Sequence, residues 1–116
     1  MDITVLNPRR DDWDSSWQQT IAHAQFREQV DWELSAQELA GAIAMYFEPS
    51  TKSPITLLEM GLFARSGKLI VCCPDGFWRR GNVEIVCSRY RIPMVDTLDD
   101  LVVAIRQRLT QLGAVN

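Results

Sequence analysis

Four short apolar runs punctuate the chain, at residues 3–6, 43–47, 69–73 and, more weakly, 92–95. Each is of strand length and rich in Ile, Val or aromatic residues. None alternates cleanly, which suits strands covered on both faces of a parallel sheet. Segments of helical spacing separate them. Trp13, Trp17, Ile21 and Ala24 fall on one helical face, and Ser35 with Glu38 forms a capping-box pattern that either restarts or continues that helix toward Ala40. Pro54 suits a helix first turn, ahead of Leu57, Leu58, Gly61, Leu62 and Phe63. Asn82 is placed to cap a helix from Val83 to about Tyr90. The clearest helix is the last. Thr97 with Asp100 gives its start, Leu98, Leu101, Val102, Ile105, Leu109 and Leu112 its apolar stripe, and Gly113 its stop. The expectation is β-α-β-α-β-α-β-α, a single α/β domain over residues 1–116 with a small, mainly parallel four-stranded sheet.

Composition narrows the class further. A chain of 116 residues with 47% hydrophobic and 23% charged residues has the make-up of one globular domain. Its formal net charge of −3 argues against a nucleic-acid-backbone binder. No apolar stretch is long enough to span a bilayer, and charge stands where a signal peptide would carry its apolar core. The sequence therefore reads as that of a cytoplasmic protein with neither a membrane nor a nucleic-acid partner. Cys72, Cys73 and Cys87 form neither a disulfide framework nor a zinc-spaced set, and read as buried free thiols. His23, the one histidine, reads as a surface or packing residue.

Ligands of open α/β sheets sit beyond the carboxyl ends of the strands. The chemically unusual residues fall in those loops: Asn7-Pro8-Arg9-Arg10, then 48–54, then Pro74 to Asn82, then Asp96. Arg9, Arg10, Arg79 and Arg80 share two of the loops and, beside a helix start, are suited to a phosphate or carboxylate; equally, they are ordinary surface arginines. Glu59 stands among Leu57, Leu58, Met60 and Leu62 and is either solvent-facing or a buried group held for a purpose. Glu33 and Glu48 are rival carboxylates that spacing does not rank. Trp78 is either a packing group or a platform for a flat base.

Several of these segments together resemble a known family. Tyr46-Phe47-Glu48-Pro49 through Ser53-Pro54-Ile55-Thr56-Leu57-Leu58-Glu59-Met60-Gly61-Leu62 is similar to the central motif of nucleoside 2-deoxyribosyltransferase-like proteins. So are Asn7-Pro8-Arg9-Arg10, Gln29 with Trp32-Glu33, and Cys73-Pro74 through Phe77-Trp78-Arg79-Arg80-Gly81-Asn82-Val83. The resemblance implies a three-layer, Rossmann-like sandwich of flavodoxin type. It implies cleavage of the N-glycosidic bond of a nucleoside or nucleotide, with transfer to another base or hydrolysis, and no cofactor or metal.

By the same resemblance the nucleophile is Glu59. Ser53 and Thr56 serve the sugar, and Asn82 or Arg79 a polar end of the ligand; Asn7, Arg9, Arg10, Trp78 and Arg80 complete the expected substrate-binding set, with Arg79 and Arg80 together suited to an anionic group. The alternative is a non-catalytic nucleotide-binding or protein-interaction module on the same fold. Family members carry an Asp near the position of Ser53 and often one near Gly41, where this chain has none. They also begin with a further strand, loop and helix. The sequence opens directly on what would be the second strand, which implies a homodimer or higher homo-oligomer.

Overall fold

Leu69-Ile70-Val71-Cys72 buries every side chain, as the central strand of a parallel sheet must. In the computed structural model, which describes residues 4–7 and 16–113, this strand (β2, Leu69–Cys72) pairs with β1 (Ile43–Tyr46) on one side and β3 (Met94–Val95) on the other. Both pairings are parallel; Ile43 lies opposite Leu69 and Val71 opposite Met94. The helices are α1 (Ala24–Leu39), α2 (Pro54–Phe63), α3 (Arg80–Tyr90) and α4 (Leu98–Gln111). The fold class is α/β, with strands and helices alternating from β1 onward.

The chain divides into two compact units, Asp2–Ala40 and Gly41–Asn116. The second holds the whole sheet. One face of β2 presents Ile70 and Cys72 to Leu101 of α4, with Tyr46, Val95, Ala104 and Ile105 packed around them. The two crossovers run the same way across the sheet, and right-handed connection places α2 and α3 together on the opposite face. Leu69, Val71 and Cys73 point to that face. They are as buried as Met60 and Ala64 of α2 and its C-cap, and Val83 and Cys87 of α3. All three cysteines are free and buried.

Thr97 caps α4 by accepting the Asp100 N–H at 3.1 Å. At its other end Arg108 donates to the Gly67 carbonyl at 2.7 Å, tying the helix to the turn before β2. No described helix is long and apolar enough to cross a membrane.

Three expectations need correction. The sheet has three strands among the described residues, not four. Ile3 lies outside the described residues, and 4–7 join no ladder. Apolarity alone does not make a strand, and Val5, 82% exposed, has no packing to order one. Trp13 also lies outside the described residues, and the helix expected through Trp17 and Ile21 is not formed there. Residues 16–23 form turns closed by Thr20 N–H to Gln18 O and His23 N–H to Thr20 O, and α1 begins only at Ala24. It then runs unbroken through Ser35 and Glu38. Asn82 does not cap α3, which starts two residues earlier at Arg80 with Arg79 as an N-cap that makes no side-chain bond.

In the Asp2–Ala40 unit, Gln29 is the buried polar residue of α1 and donates to Glu33 at 3.1 Å. His23 packs its ring 5.8 Å from that of Trp17.

Candidate functional site

Parallel strands deliver their C-terminal ends to one rim. Three segments meet there: the β1–α2 loop, the β2–α3 loop, and Asp96-Thr97 after β3. Phe47 and Phe77, both buried, form the floor beneath the first two, with ring centroids 4.9 Å apart. Gly76 holds φ at +94°, a conformation that favours glycine, and its backbone comes up beside Pro49. The Trp78 indole N–H then reaches across to the Lys52 carbonyl at 2.9 Å, joining the two loops directly.

The β1–α2 loop is shaped by its own polar groups. Glu48 accepts from the Ser50 N–H at 3.2 Å, the Ser50 hydroxyl at 3.0 Å and the Tyr46 hydroxyl at 3.2 Å. The Ser50 N–H and hydroxyl together hold its carboxyl below the usual range. Burial, followed by the Glu48 charge, pushes the Tyr46 phenol up.

Thr51 donates its hydroxyl proton to the Glu48 carbonyl at 3.0 Å and lies 2.7 Å from the Ser53 hydroxyl. A hydroxyl has one proton. With that of Thr51 committed, Ser53 is the donor in their pair, and its oxygen faces any further partner as an acceptor. Ser53 itself sits at φ 45°, ψ 52°, a left-handed turn that swings the chain into Pro54 and α2.

On α2, Met60 and Ala64 point to the core. Glu59 lies about 100° around the helix from Met60, on the flank of the buried face, and is half-buried. Thr56, also half-buried, stands one turn before Glu59 on the same flank.

The two loop arginines have opposite surroundings. Arg80 donates to Asp96 at 2.7 Å, to Glu84 at 3.2 Å and to the Cys73 carbonyl at 3.2 Å, with the Asp75 carboxylate 3.3 Å away. Its guanidinium draws the β2–α3 loop, α3 and the end of β3 together. The bond to Asp96 is the main reason its pKa rises. Arg79 is exposed, with its guanidinium carbon 4.5 Å from the centre of the Trp78 ring; Lys52 Nζ lies 5.0 Å from the same centre. Lys52 was not singled out from sequence. It precedes Trp78 by 26 residues, and only the fold brings the two together.

Asn82 lies exposed in the first turn of α3. Asn7 is exposed in the Asp2–Ala40 unit, and Arg9 and Arg10 fall outside the described residues. Of the rival carboxylates, Glu33 belongs to that first unit with Gln29 as its partner. Two of the surface hollows among the described residues bear on the site. One, of about 350 Å³, is lined by Arg80, Glu84, Cys87, Ser88, Ile92, Met94 and Asp96. The other, of about 500 Å³, lies along α4. Glu59 lines neither.

No curated protein matches the chain. A family described as nucleoside 2-deoxyribosyltransferase like matches residues 1–77. That span takes in the β1–α2 loop, Glu59 and the sheet through β2, and stops one residue short of Trp78. With about two-thirds of its length matched, the chain belongs to the nucleoside 2-deoxyribosyltransferase-like family.

Proposed function

We propose that this protein breaks the N-glycosidic bond of a nucleoside or nucleotide through a covalent intermediate on Glu59. The observation that carries the reading is the setting of Glu59. It is a half-buried carboxylate on the helix that leaves the sheet rim, one turn from a hydroxyl side chain, inside the segment that matches the family. Partial burial keeps a carboxylate less solvated and more nucleophilic. Glu48 is the poorer candidate. The Ser50 donors stabilise its charged form and lower its pKa, which makes it the weaker base and the weaker nucleophile.

In the first step a Glu59 carboxylate oxygen bonds to the anomeric carbon. The bond from that carbon to the base nitrogen breaks, and the base leaves with the electron pair and takes up a proton. In the second step a nitrogen of an incoming base, or a water oxygen, bonds to the same carbon. The ester bond breaks, its electron pair returns to Glu59, and the acceptor's proton is released. Ser53, as an acceptor, and Thr56 are placed to hold sugar hydroxyls.

The test is base release from a panel of nucleosides, nucleotides and NAD, followed by chromatography. Wild type is expected to release base, and Glu59→Gln to lose roughly a thousandfold or more in rate while keeping its circular dichroism. No release by wild type, or equal release by the variant, overturns the reading. The second reading, a non-catalytic binding module, draws on the hollow around Arg80 and Asp96, which Glu59 does not line. Ligand binding without base release would favour it.

A further inference from the structure

The two edges of the sheet are finished differently. β3 is two residues long, is entered from Pro93, and stands between Arg91 and Asp96 in the chain. A short strand beside a proline and charged groups is a common way of keeping a sheet edge from pairing. β1 has none of these devices. From Ala42 to Phe47 the chain reads Ala-Ile-Ala-Met-Tyr-Phe, with neither a charge nor a proline. Among the described residues no strand lies beyond it.

The ladder decides which backbone groups of β1 face outward. The Ile43 N–H donates to the Lys68 carbonyl and the Phe47 N–H to the Cys72 carbonyl, both at 2.9 Å, so Ile43, Met45 and Phe47 face β2. Backbone direction alternates along a strand, and the N–H and C=O groups of Ala44 and Tyr46 therefore point away from the sheet. The side chains agree that the space beside them is open. Ala44 lies in register with Ile70, which is buried beneath α4, yet Ala44 is exposed although it stands inside a strand. The helix covers β2 and leaves the margin of β1 bare. A row of outward backbone groups beside an uncovered alanine is a template for another strand.

This edge is its own complement. A two-fold axis at Ala44 lays a second β1 antiparallel to the first. Ala44 then meets Ala44 of the second copy, Tyr46 meets Ala42, and Ile43 meets Met45. The outward groups of Ala42, Ala44 and Tyr46 exchange hydrogen bonds in pairs. The small residue at the axis lets the backbones close, and each Tyr46 ring lies against the alanine opposite. Ile43 and Met45 extend the buried apolar face across the junction. The nearest acid, Glu48, falls opposite Ala40, so no like charges are opposed. We infer that β1 pairs antiparallel with β1 of a second copy, joining two sheets edge to edge into one. The interface does not depend on the glycosidic reading, since Glu59 lies outside the strand.

The experiment combines sedimentation with cross-linking of the full chain. Wild type is expected to sediment as a dimer that dissociates on dilution. Ala44→Lys sets two cations against each other at the axis. It should raise the dissociation constant at least about tenfold with an unchanged circular dichroism spectrum. Ala44→Cys puts a thiol where facing Cβ atoms stand about 5 Å apart, while the native thiols are buried. A short bis-maleimide should therefore join most Ala44→Cys chains in pairs and leave wild type unjoined. Ile85→Cys, at an exposed position of α3, should stay unjoined as well. A wild type that is monomeric at every concentration overturns the inference. So does a dimer in which Ala44→Cys fails to cross-link, or one that a correctly folded Ala44→Lys leaves as tight as before. If Ala44→Lys does not fold, the cross-linking comparison decides alone.

Discussion

Glu48 and Glu59 occupy one stretch of chain, yet their surroundings suit them to different tasks. Glu48 is folded into a turn of donors that stabilise its charged form. A carboxyl with a lowered folded-state pKa contributes stability above its ordinary pKa and loses it as pH falls through the lowered value. Ser50→Ala removes the hydroxyl donor and leaves the Ser50 N–H. The expected result is a Glu48 titration moved part of the way back toward the ordinary carboxylate value, with acid unfolding beginning at a higher pH. Carboxyl-carbon NMR through a pH series measures the first and circular dichroism the second; an unmoved Glu48 titration would show that the backbone donor alone sets it. These distinctions were only partly legible from residues alone. The sequence marked Glu48, Ser53, Glu59 and Trp78 as unusual, but one-dimensional spacing carries no information on which donor faces which acceptor. The three carboxylates around Arg80 come from the β2–α3 loop, from α3 and from the end of β3, and Lys52 meets Trp78 only through the tertiary fold.

Among the elements, α4 could be read from sequence nearly to the residue, because its apolar stripe, its Thr97 start and its Gly113 stop agree with one another. Thr97→Ala removes the cap on the Asp100 N–H and should cost about 1 kcal/mol, seen as a lower midpoint in urea unfolding with an unchanged slope. An unchanged midpoint would mean that water replaces the cap without loss. The cores of β1, β2 and α2 were equally readable, since short Ile- and Val-rich runs and a first-turn proline leave few alternatives. The start of α1 and the cap of α3 were not. Trp17, Ile21 and Ala24 at helical spacing imitate a helix where backbone turns prevail over residues 16–23, and Asn82, a good capping type, lies inside a helix that begins without a side-chain cap.

For the molecule as a whole, all three thiols report on the Gly41–Asn116 unit. Burial pushes Cys87 to about 11, and raises Cys72 and Cys73 as well. At pH 8 only about one Cys87 thiol in a thousand is ionised, in addition to being shielded from reagent. A disulfide-exchange reagent should leave the native protein unlabelled, and the three thiols should react together across the denaturant transition of that unit. Early reaction of a single cysteine would show that the sheet and its helices do not open as one.

The rim carries two dissimilar stitches. Trp78 to Lys52 is a neutral bond that salt leaves alone, whereas the fastening at Arg80 is mostly ionic, with one bond to the Cys73 carbonyl beside three carboxylates. In brine the seam toward β3 therefore slackens first while the seam toward α2 holds. The mouth of the site would then open on one side only.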